Sequence, residues 1–128
     1  MRSIGIDQTH PASFRRYLRE ELFDRVKPAE VHLLDGQADD PAAECERYAR
    51  ELAEAGTVDV ACIGIGENGH IAFNDPHVAD FGDPKKVKVV DLDEACRKQQ
   101  HGEGWFETLE DVPREALTQT IPSIMAAR

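Results

Sequence analysis

Residues 58–76 read VDVACIGIGENGHIAFNDP, an apolar run followed by a glycine-rich loop. The run over residues 58–65 is short, rich in β-branched residues and nearly continuous, which is typical of a strand covered on both faces of a sheet. Gly64, Gly66 and Gly69 follow in the spacing G-x-G-x-x-G, the spacing of a dinucleotide-binding loop. The stretch therefore predicts a buried strand that ends in a ligand-binding loop, and it raises the question of a nucleotide cofactor.

The sequence after Gly69 argues against such a cofactor. A dinucleotide fingerprint needs a helix that begins at the third glycine and holds the pyrophosphate at its amino end. Here Pro76 and Pro84 interrupt the following segment, and NDP and FGDP are turn sequences. Asp91 lies about 20 residues on, where a ribose-binding acid would lie, but without the helix its position indicates little. We predict no organic cofactor.

The remaining pattern predicts an α/β fold, because strands alternate with helices. Predicted strands cover residues 30–34, 58–65 and 86–92, and predicted helices cover 10–26, 39–56 and 93–100. Residues 101–106 are predicted to form a loop and residues 112–117, VPREAL, a short helical turn. We expect a Rossmann-like parallel sheet flanked by helices, whose ligands bind beyond the carboxyl ends of the strands. The loop after residue 65 lies at one of those ends.

Size and composition limit the classes of function. The chain has 128 residues, which we interpret as a single domain over 1–128, and its 41% hydrophobic and 31% charged residues are typical of a folded soluble protein. A formal charge of −10 argues against nucleic acid and anionic membranes as partners, because phosphates would be repelled. A small anionic ligand and a homo-oligomer both remain compatible with this composition.

Cysteine usage and the absence of targeting signals predict a cytoplasmic protein. Cys45, Cys62 and Cys96 are odd in number and show no C-x-x-C spacing, so we expect free thiols, with Cys62 buried in its strand. No apolar run approaches the length of a membrane span, and the opening MRSIGIDQTH lacks the core of a signal peptide.

His70 is the first candidate for chemistry, because it follows the glycines in a loop that also carries Asn68 and Asp75. Histidine changes its charge near neutral pH, which suits proton transfer, and a nearby carboxylate would fix its tautomer. The alternative is a loop histidine bonded only to a backbone carbonyl. His70, Asp75, His77 and Asp80 lack the helical spacing of a metal site, so we predict no metal.

These residues also resemble a known family. GIGENGHIAFNDP, residues 64–76, resembles the signature G-x-G-x-D-G-H-I-A-F-N-E-P of glucosamine-6-phosphate deaminases, also called isomerases. The related 6-phosphogluconolactonases typically continue T-A-S-L-F after the histidine, so IAFN at 71–74 favours the deaminase branch. IGIDQTHPASF and VPREALTQTIP are similar to further collinear segments of that family. The chain is identified as a partial member, covering the central portion of a larger α/β fold.

The resemblance implies an enzyme of the hydrolase class that converts glucosamine 6-phosphate to fructose 6-phosphate and ammonia without a metal or cofactor. His70 matches the family histidine that opens the sugar ring. The two family acids around it correspond to Asn68 and Asp75 here. Asp75 is one methylene shorter than the usual Glu, and Asn68 carries no charge.

Other parts of the family site have no match in this sequence. The acidic D-E-Y motif with the carbon-2 base and the Ser-Gly-Gly-Ser/Thr phosphate loop are not found, so we expect little or no turnover from this chain alone. A family phosphate-binding arginine aligns with Gln100, and Arg97, one helical turn back, is a candidate replacement. The basic stretch KKVKVV is either a solvated strand edge or a phosphate-facing patch. The alternative functions are a non-catalytic sugar-phosphate binder and a 6-phosphogluconolactonase.

Overall fold

The fold consists of three short strands and five α-helices, and a computed structural model describes all 128 residues. The strands are β1 (Arg2–Ser3), β2 (Val87–Asp91) and β3 (Glu115–Gln119). The helices are α1 (Phe14–Leu18), α2 (Asp24–Val26), α3 (Pro41–Ala55), α4 (Glu94–Gly102) and α5 (Ile121–Met125), with a π-helical segment, Arg19–Phe23, between α1 and α2. None of these helices combines the length and the apolar character needed to span a bilayer.

The sheet is built around β3, which pairs with β1 on one side and β2 on the other. β2 and β3 are antiparallel over all five residues, beginning with Val87 opposite Gln119. The three central residues of β3 are fully buried. The prediction of a helical turn over residues 112–117 is therefore wrong, because pairing on both sides outweighs the helix propensity of alanine and leucine.

The structure also corrects the predicted parallel pairing, since all strand pairs in the sheet are antiparallel. The predicted strands 30–34 and 58–65 belong to no sheet, and Ile65 forms only an isolated antiparallel bridge with Ile71. No N–H group of residues 58–65 donates a hydrogen bond to the backbone, and Val60 and Ile65 are 76% and 75% exposed. An apolar pattern favours a strand, but a ladder also needs a strand alongside, which no other segment of this chain supplies.

Side chains, rather than a neighbouring strand, donate hydrogen bonds to the backbone of residues 30–34. Arg47 Nη2 donates to the Leu33 carbonyl at 3.1 Å, and Arg15 Nη2 donates to the Leu34 carbonyl at 3.3 Å. These arginines lie on α3 and α1, so the segment is held between the two helices. The buried carbonyl groups are thus satisfied without β-pairing.

Helix α3 matches its prediction from end to end. The Asp40 carboxylate accepts hydrogen bonds from the N–H groups of Ala42 and Ala43, both at 3.0 Å, and Pro41 occupies the first turn. Gly56 ends the helix with a φ of +77°, a conformation that favours glycine. Asp40, Pro41 and Gly56 are each typical of the position they occupy at the end of a helix, and α3 lies within the predicted range 39–56.

The first helical stretch is shorter than the predicted range 10–26. It begins at Phe14, where the Ser13 side chain accepts a hydrogen bond from the first turn, and it ends before Lys27, which has a φ of +47°. Phe14 and Tyr17 remain 36% and 60% exposed. Both aromatic residues border a cleft that His70 also lines, and the Phe14 ring meets the buried Phe73 ring edge-on, with centroids 6.2 Å apart.

The core is divided into three small clusters. The first lies behind the glycine-rich loop and contains Phe73, Val90, Leu92, Cys96 and Ala116. The second joins α3 to the sheet and contains Leu34, Cys45, Val87 and Leu117, and the third contains Ile6, Phe106 and Val112. All three cysteines are free, as predicted, but Cys62 is exposed rather than buried because residues 58–65 are not covered.

Candidate active site

The glycine-rich loop folds back on itself directly after the extended segment 58–65. The Gly66 N–H donates to the His70 carbonyl at 2.9 Å, and the Gly69 N–H donates to the Gly66 carbonyl at 2.9 Å. Gly69 has a φ of +84°, which favours glycine at the tightest point of the turn. No helix begins at Gly69, as the sequence predicts, and the glycines shape a reversing turn.

Strand β3 anchors the second half of the loop. Thr118 Oγ1 accepts a hydrogen bond from the Phe73 N–H at 3.1 Å, and Asn74 Nδ2 donates to the Gln119 carbonyl at 2.8 Å. The Phe73 ring is buried in the first core cluster. Because β3 is the central strand, these contacts fix the loop to the buried middle of the sheet. The sequence prediction missed this anchor, since it assigned much of β3 to a helical turn.

The structure brings the three predicted site residues, Asn68, His70 and Asp75, together. His70 Nδ1 lies 2.6 Å from Asn68 Oδ1 and 3.2 Å from Asp75 Oδ1. The Asp75 side chain is completely buried, and the His70 side chain is 14% exposed. Protein groups therefore hold Nδ1. Nε2 makes no hydrogen bond to the protein and is not fully buried.

The surroundings of Asn68 determine which ring nitrogen carries the proton. Its Nδ2 donates to Asp75 Oδ1 at 3.1 Å and to Asp93 Oδ2 at 3.2 Å. Carboxylates only accept hydrogen bonds, so the amide must present Nδ2 to them and Oδ1 to the imidazole. An amide oxygen also only accepts, so the proton of neutral His70 lies on Nδ1. Nε2 is left with a free lone pair.

Gly66 makes room for the imidazole. A Cβ atom built at this position would lie 2.5 Å from His70 Nδ1 and closer still to two other ring atoms. Real carbon contacts lie at about 3.5–4.0 Å, so any side chain at position 66 would displace the ring. The glycine is thus needed for close approach of His70 rather than of a cofactor.

His70 opens onto a cleft of about 280 Å³ between the loop, α1 and α4. Its lining includes Phe14, Tyr17, Ala72, Gln99, Gln100, Glu103 and Trp105. No lysine or arginine lines it, and Glu103 supplies its only carboxylate. Position 100, where the family arginine aligns, does border the cleft, but it offers a neutral amide.

Arg97 does not replace the missing cation. Its guanidinium points to the turn before β3, where Nη2 donates to the Leu109 carbonyl at 2.6 Å and Nε donates to the Val112 carbonyl at 3.3 Å. The suggestion that Arg97 reaches the phosphate position is therefore wrong. In the basic stretch, Lys88 Nζ bonds to Asp83 Oδ2 at 2.8 Å, which favours a structural role over a phosphate-facing patch.

The two aromatic residues of the 101–106 loop divide between core and cleft. Phe106 is buried and stacks on the His10 ring, with centroids 5.3 Å apart. Trp105 is 46% exposed and lines the cleft, where its Nε1 donates to Glu103 Oε2 at 3.0 Å. Trp105 is thus placed where a sugar could contact its ring.

Asp93 is the part of the site that the sequence prediction missed. It is the N-cap of α4, where its Oδ1 accepts the Cys96 N–H at 2.6 Å, and it also contacts Asn68. An aspartate just before a helical pattern is a recognisable cap signal. Its contact with Asn68 joins residues 25 positions apart and leaves no local trace in the sequence.

Burial of Cys96 makes its thiol unreactive. Removal from water, with the nearby Asp75 carboxylate as the next cause, raises the pKa of Cys96 to about 11. The thiol therefore stays protonated at neutral pH and packs as an apolar group between the loop and α4.

Two groups of side chains could approach a metal ion: His70, Asp75 and Cys96, and Asp75, His77 and Asp93. In each group the ligand atoms lie within 4.8 Å of one another. Both oxygens of Asp75 already accept hydrogen bonds, and Asp80 instead caps its own turn through the Gly82 N–H at 2.8 Å. We still predict that this site binds no metal ion.

Comparison with known proteins identifies the family. Residues 5–128 match the family described as glucosamine-6-phosphate isomerases/6-phosphogluconolactonase. The chain belongs to this family. Glucosamine-6-phosphate deaminases from Exiguobacterium sp. and Shouchella clausii are 42% and 40% identical to it, over 98% of this chain and 47% and 49% of their own lengths.

A solved structure agrees in fold. A monomeric glucosamine-6-phosphate deaminase of the NagB superfamily superimposes with a TM-score of 0.85 at 34% identity, over 98% of this chain and 51% of its own. The α/β class and the partial coverage of the family fold are thereby confirmed. The chain spans about half the length of the curated relatives it matches.

Proposed function

We propose that this chain carries the ring-opening part of a glucosamine-6-phosphate deaminase site in a cytoplasmic enzyme of the hydrolase class. The overall reaction would convert glucosamine 6-phosphate to fructose 6-phosphate and ammonia. The names of the relatives support the substrate class. One observation carries the role of His70: its Nδ1 is held by Asn68 and Asp75, its Nε2 makes no hydrogen bond to the protein, and the residue lines a cleft.

This arrangement suits the opening of a pyranose ring. Nε2 takes the proton from the anomeric hydroxyl, the C1–O5 bond breaks as a C1 carbonyl forms, and the imidazolium returns the proton to O5. Nδ1–H keeps its hydrogen bonds throughout, so the ring does not need to reorient between the two transfers. The buried Asp75 carboxylate, 3.2 Å from Nδ1, stabilises the transient imidazolium, while Asn68 contributes only a neutral acceptor.

The later steps need a carbon-2 base and a group that binds the phosphate. Removal of the carbon-2 proton needs a base, and the substrate phosphate needs a cation or a cluster of N–H donors. Glu103 is the only carboxylate in the cleft lining, and no lysine or arginine is present. We therefore expect ring opening to be measurable in this chain and ammonia release to be slow or undetectable.

Anomer exchange tests the proposal, because it needs ring opening but no carbon-2 base. The rate of exchange between α- and β-glucosamine 6-phosphate is measured by NMR magnetisation transfer with and without the protein. We expect an acceleration that His70→Gln abolishes and that His32→Gln, a change at an exposed histidine on residues 30–34, leaves intact. An equal rate with the original chain and His70→Gln would refute the assignment of His70.

A non-catalytic sugar-phosphate binder is the second candidate. The neutral Asn68 beside His70 favours it, because the imidazolium has one charged partner instead of two. A thermal shift with glucosamine 6-phosphate, without faster anomer exchange, would support binding alone. Hydrolysis of 6-phosphogluconolactone in a parallel assay would instead indicate the lactonase branch of the family.

A further inference from the structure

We propose that Asp93 is a positioning residue for His70, acting through the amide of Asn68. This inference rests on the proposed role of His70 in ring opening. Asp93 does not touch the imidazole in this arrangement. It fixes the orientation of the group that does, and it connects that group to the first turn of α4.

Three separate atoms of Asp93 take part. Its Oδ2 accepts a hydrogen bond from Asn68 Nδ2 at 3.2 Å, and its Oδ1 accepts the Cys96 N–H at 2.6 Å. Its own backbone N–H donates to Asp75 Oδ2 at 3.2 Å. Asp93 therefore contacts both residues that hold His70, and the helix cap prevents its carboxylate from rotating away.

The contact with Asn68 has a specific consequence. An amide that flips exchanges Nδ2 for Oδ1, which would set an oxygen against two carboxylates and Nδ2 against His70 Nδ1. The bonds to Asp75 and Asp93 both oppose this flip, as does the backbone N–H of His70, which donates to Asn68 Oδ1 at 3.1 Å. If only Asp75 remained, the flip would lose one bond to a carboxylate instead of two. A flipped Asn68 turns Nδ2 toward His70 Nδ1 and leaves the Asp75 carboxylate, 3.2 Å away, as the only acceptor for Nδ1–H, so the preference for the Nδ1–H tautomer falls.

The helix connection makes Asp93 part of the cleft geometry as well. Helix α4 carries Gln99 and Gln100 on the cleft wall. Since one carboxylate caps this helix and also holds Asn68, it fixes the position of the helix relative to the His70 imidazole. A residue that only capped α4 would not affect the tautomer of His70, and this difference separates a positioning role from a structural one.

Long-range ¹H–¹⁵N NMR spectra of the histidine rings test the proposal, because the two neutral tautomers differ in their nitrogen shifts. The variants are Asp93→Ser, which keeps a capping hydroxyl but cannot reach Asn68, and Asp93→Asn, which keeps the size of the side chain. Asp91→Asn is the matched control, since it removes the same charge from the exposed end of β2.

In the original chain we expect His70 to be almost entirely the Nδ1–H tautomer. Both Asp93 variants should raise the ratio of the Nε2–H to the Nδ1–H form by about tenfold or more, the change expected on losing a hydrogen bond to a carboxylate. Asp91→Asn should leave the ratio unchanged. The rate of anomer exchange should fall in the Asp93 variants with no change in the sugar-phosphate concentration that half-saturates it.

An unchanged tautomer ratio in either folded Asp93 variant would overturn the proposal, as would an Nε2–H tautomer in the original chain. Circular dichroism reports whether α4 persists, and Asp93→Asn remains informative should Asp93→Ser unfold. The tautomer is read without substrate. A chain that fails to accelerate anomer exchange would therefore refute the proposed function while leaving the positioning role of Asp93 measurable.

Discussion

Gly66→Ala is the substitution that most directly tests how His70 is held. The φ angle of Gly66 lies outside the left-handed region, so the backbone accepts alanine and only the side-chain space is at issue. Gly64 provides a matched control two residues upstream, because a Cβ there meets nothing within 4 Å. Both changes add one methyl group to the same segment.

The structure sets the size of the effect. A Cβ at position 66 would lie 2.5 Å from His70 Nδ1 and closer still to Cε1 and Nε2, whereas about 3.5 Å is the shortest comfortable contact, so the ring must move by more than about 1 Å. That movement stretches the 2.6 Å bond from Nδ1 to Asn68 Oδ1 beyond hydrogen-bonding distance. Crowding and the lost bond together should destabilise the fold by about 1–3 kcal/mol, and a 1 Å misplacement can slow catalysis by about 100-fold.

Urea unfolding and the ring resonances of His70 measure both consequences. Gly66→Ala should lower the free energy of unfolding by about 1–3 kcal/mol and shift the His70 ring signals. Gly64→Ala should stay within about 0.5 kcal/mol of the original chain and leave those signals in place. Equal stability of the two variants, together with an unmoved His70 spectrum, would show that the imidazole does not pack on Gly66.

Two further predictions concern groups outside the site. At pH 8 a disulfide reagent should label the exposed Cys62 at once. Burial raises the pKa of both Cys45 and Cys96, to about 11 for Cys96, so these two thiols should react more slowly by orders of magnitude. Equally fast reaction of all three thiols would contradict this burial. In hydrogen exchange, amides of residues 58–65 should exchange almost without protection, because none has a backbone partner, whereas those of β3 (Glu115–Gln119) should be the most protected. Strong protection over 58–65 would show that this segment pairs in solution.

The sequence predicted a helix or strand correctly where residues within that element determine its conformation and its ends. The ends of α3 follow from Asp40, Pro41 and Gly56, and β2 follows from its alternating and β-branched residues. The same reasoning failed for residues 58–65, whose apolar run was expected to pair, and for residues 112–117, VPREAL, which resemble a helix start but contain the first three residues of β3. Strand pairing depends on what lies alongside, and no local pattern contains that information.

The candidate site shows the same division. The loop motif was enough to nominate Asn68, His70 and Asp75, because a short reversing turn necessarily keeps them close. Asp93 enters from a different element and was seen only as part of a helix. The expected role of Arg97 failed for a related reason, since helical spacing gives the reach of a side chain but not the carbonyl groups that compete for it.

The amide at position 68 fits the charges around it better than the family carboxylate would. Its Nδ2 lies 3.1 Å from one carboxylate oxygen of Asp75 and 3.2 Å from one of Asp93, and it donates to both. An aspartate at 68 would set a third negative oxygen against these two, beside a cleft that has no lysine or arginine to offset it. Asn68 converts that repulsion into two hydrogen bonds while still offering an acceptor to His70 Nδ1–H. The departure from the family pattern therefore weakens the stabilisation of an imidazolium but strengthens the orientation of the neutral ring.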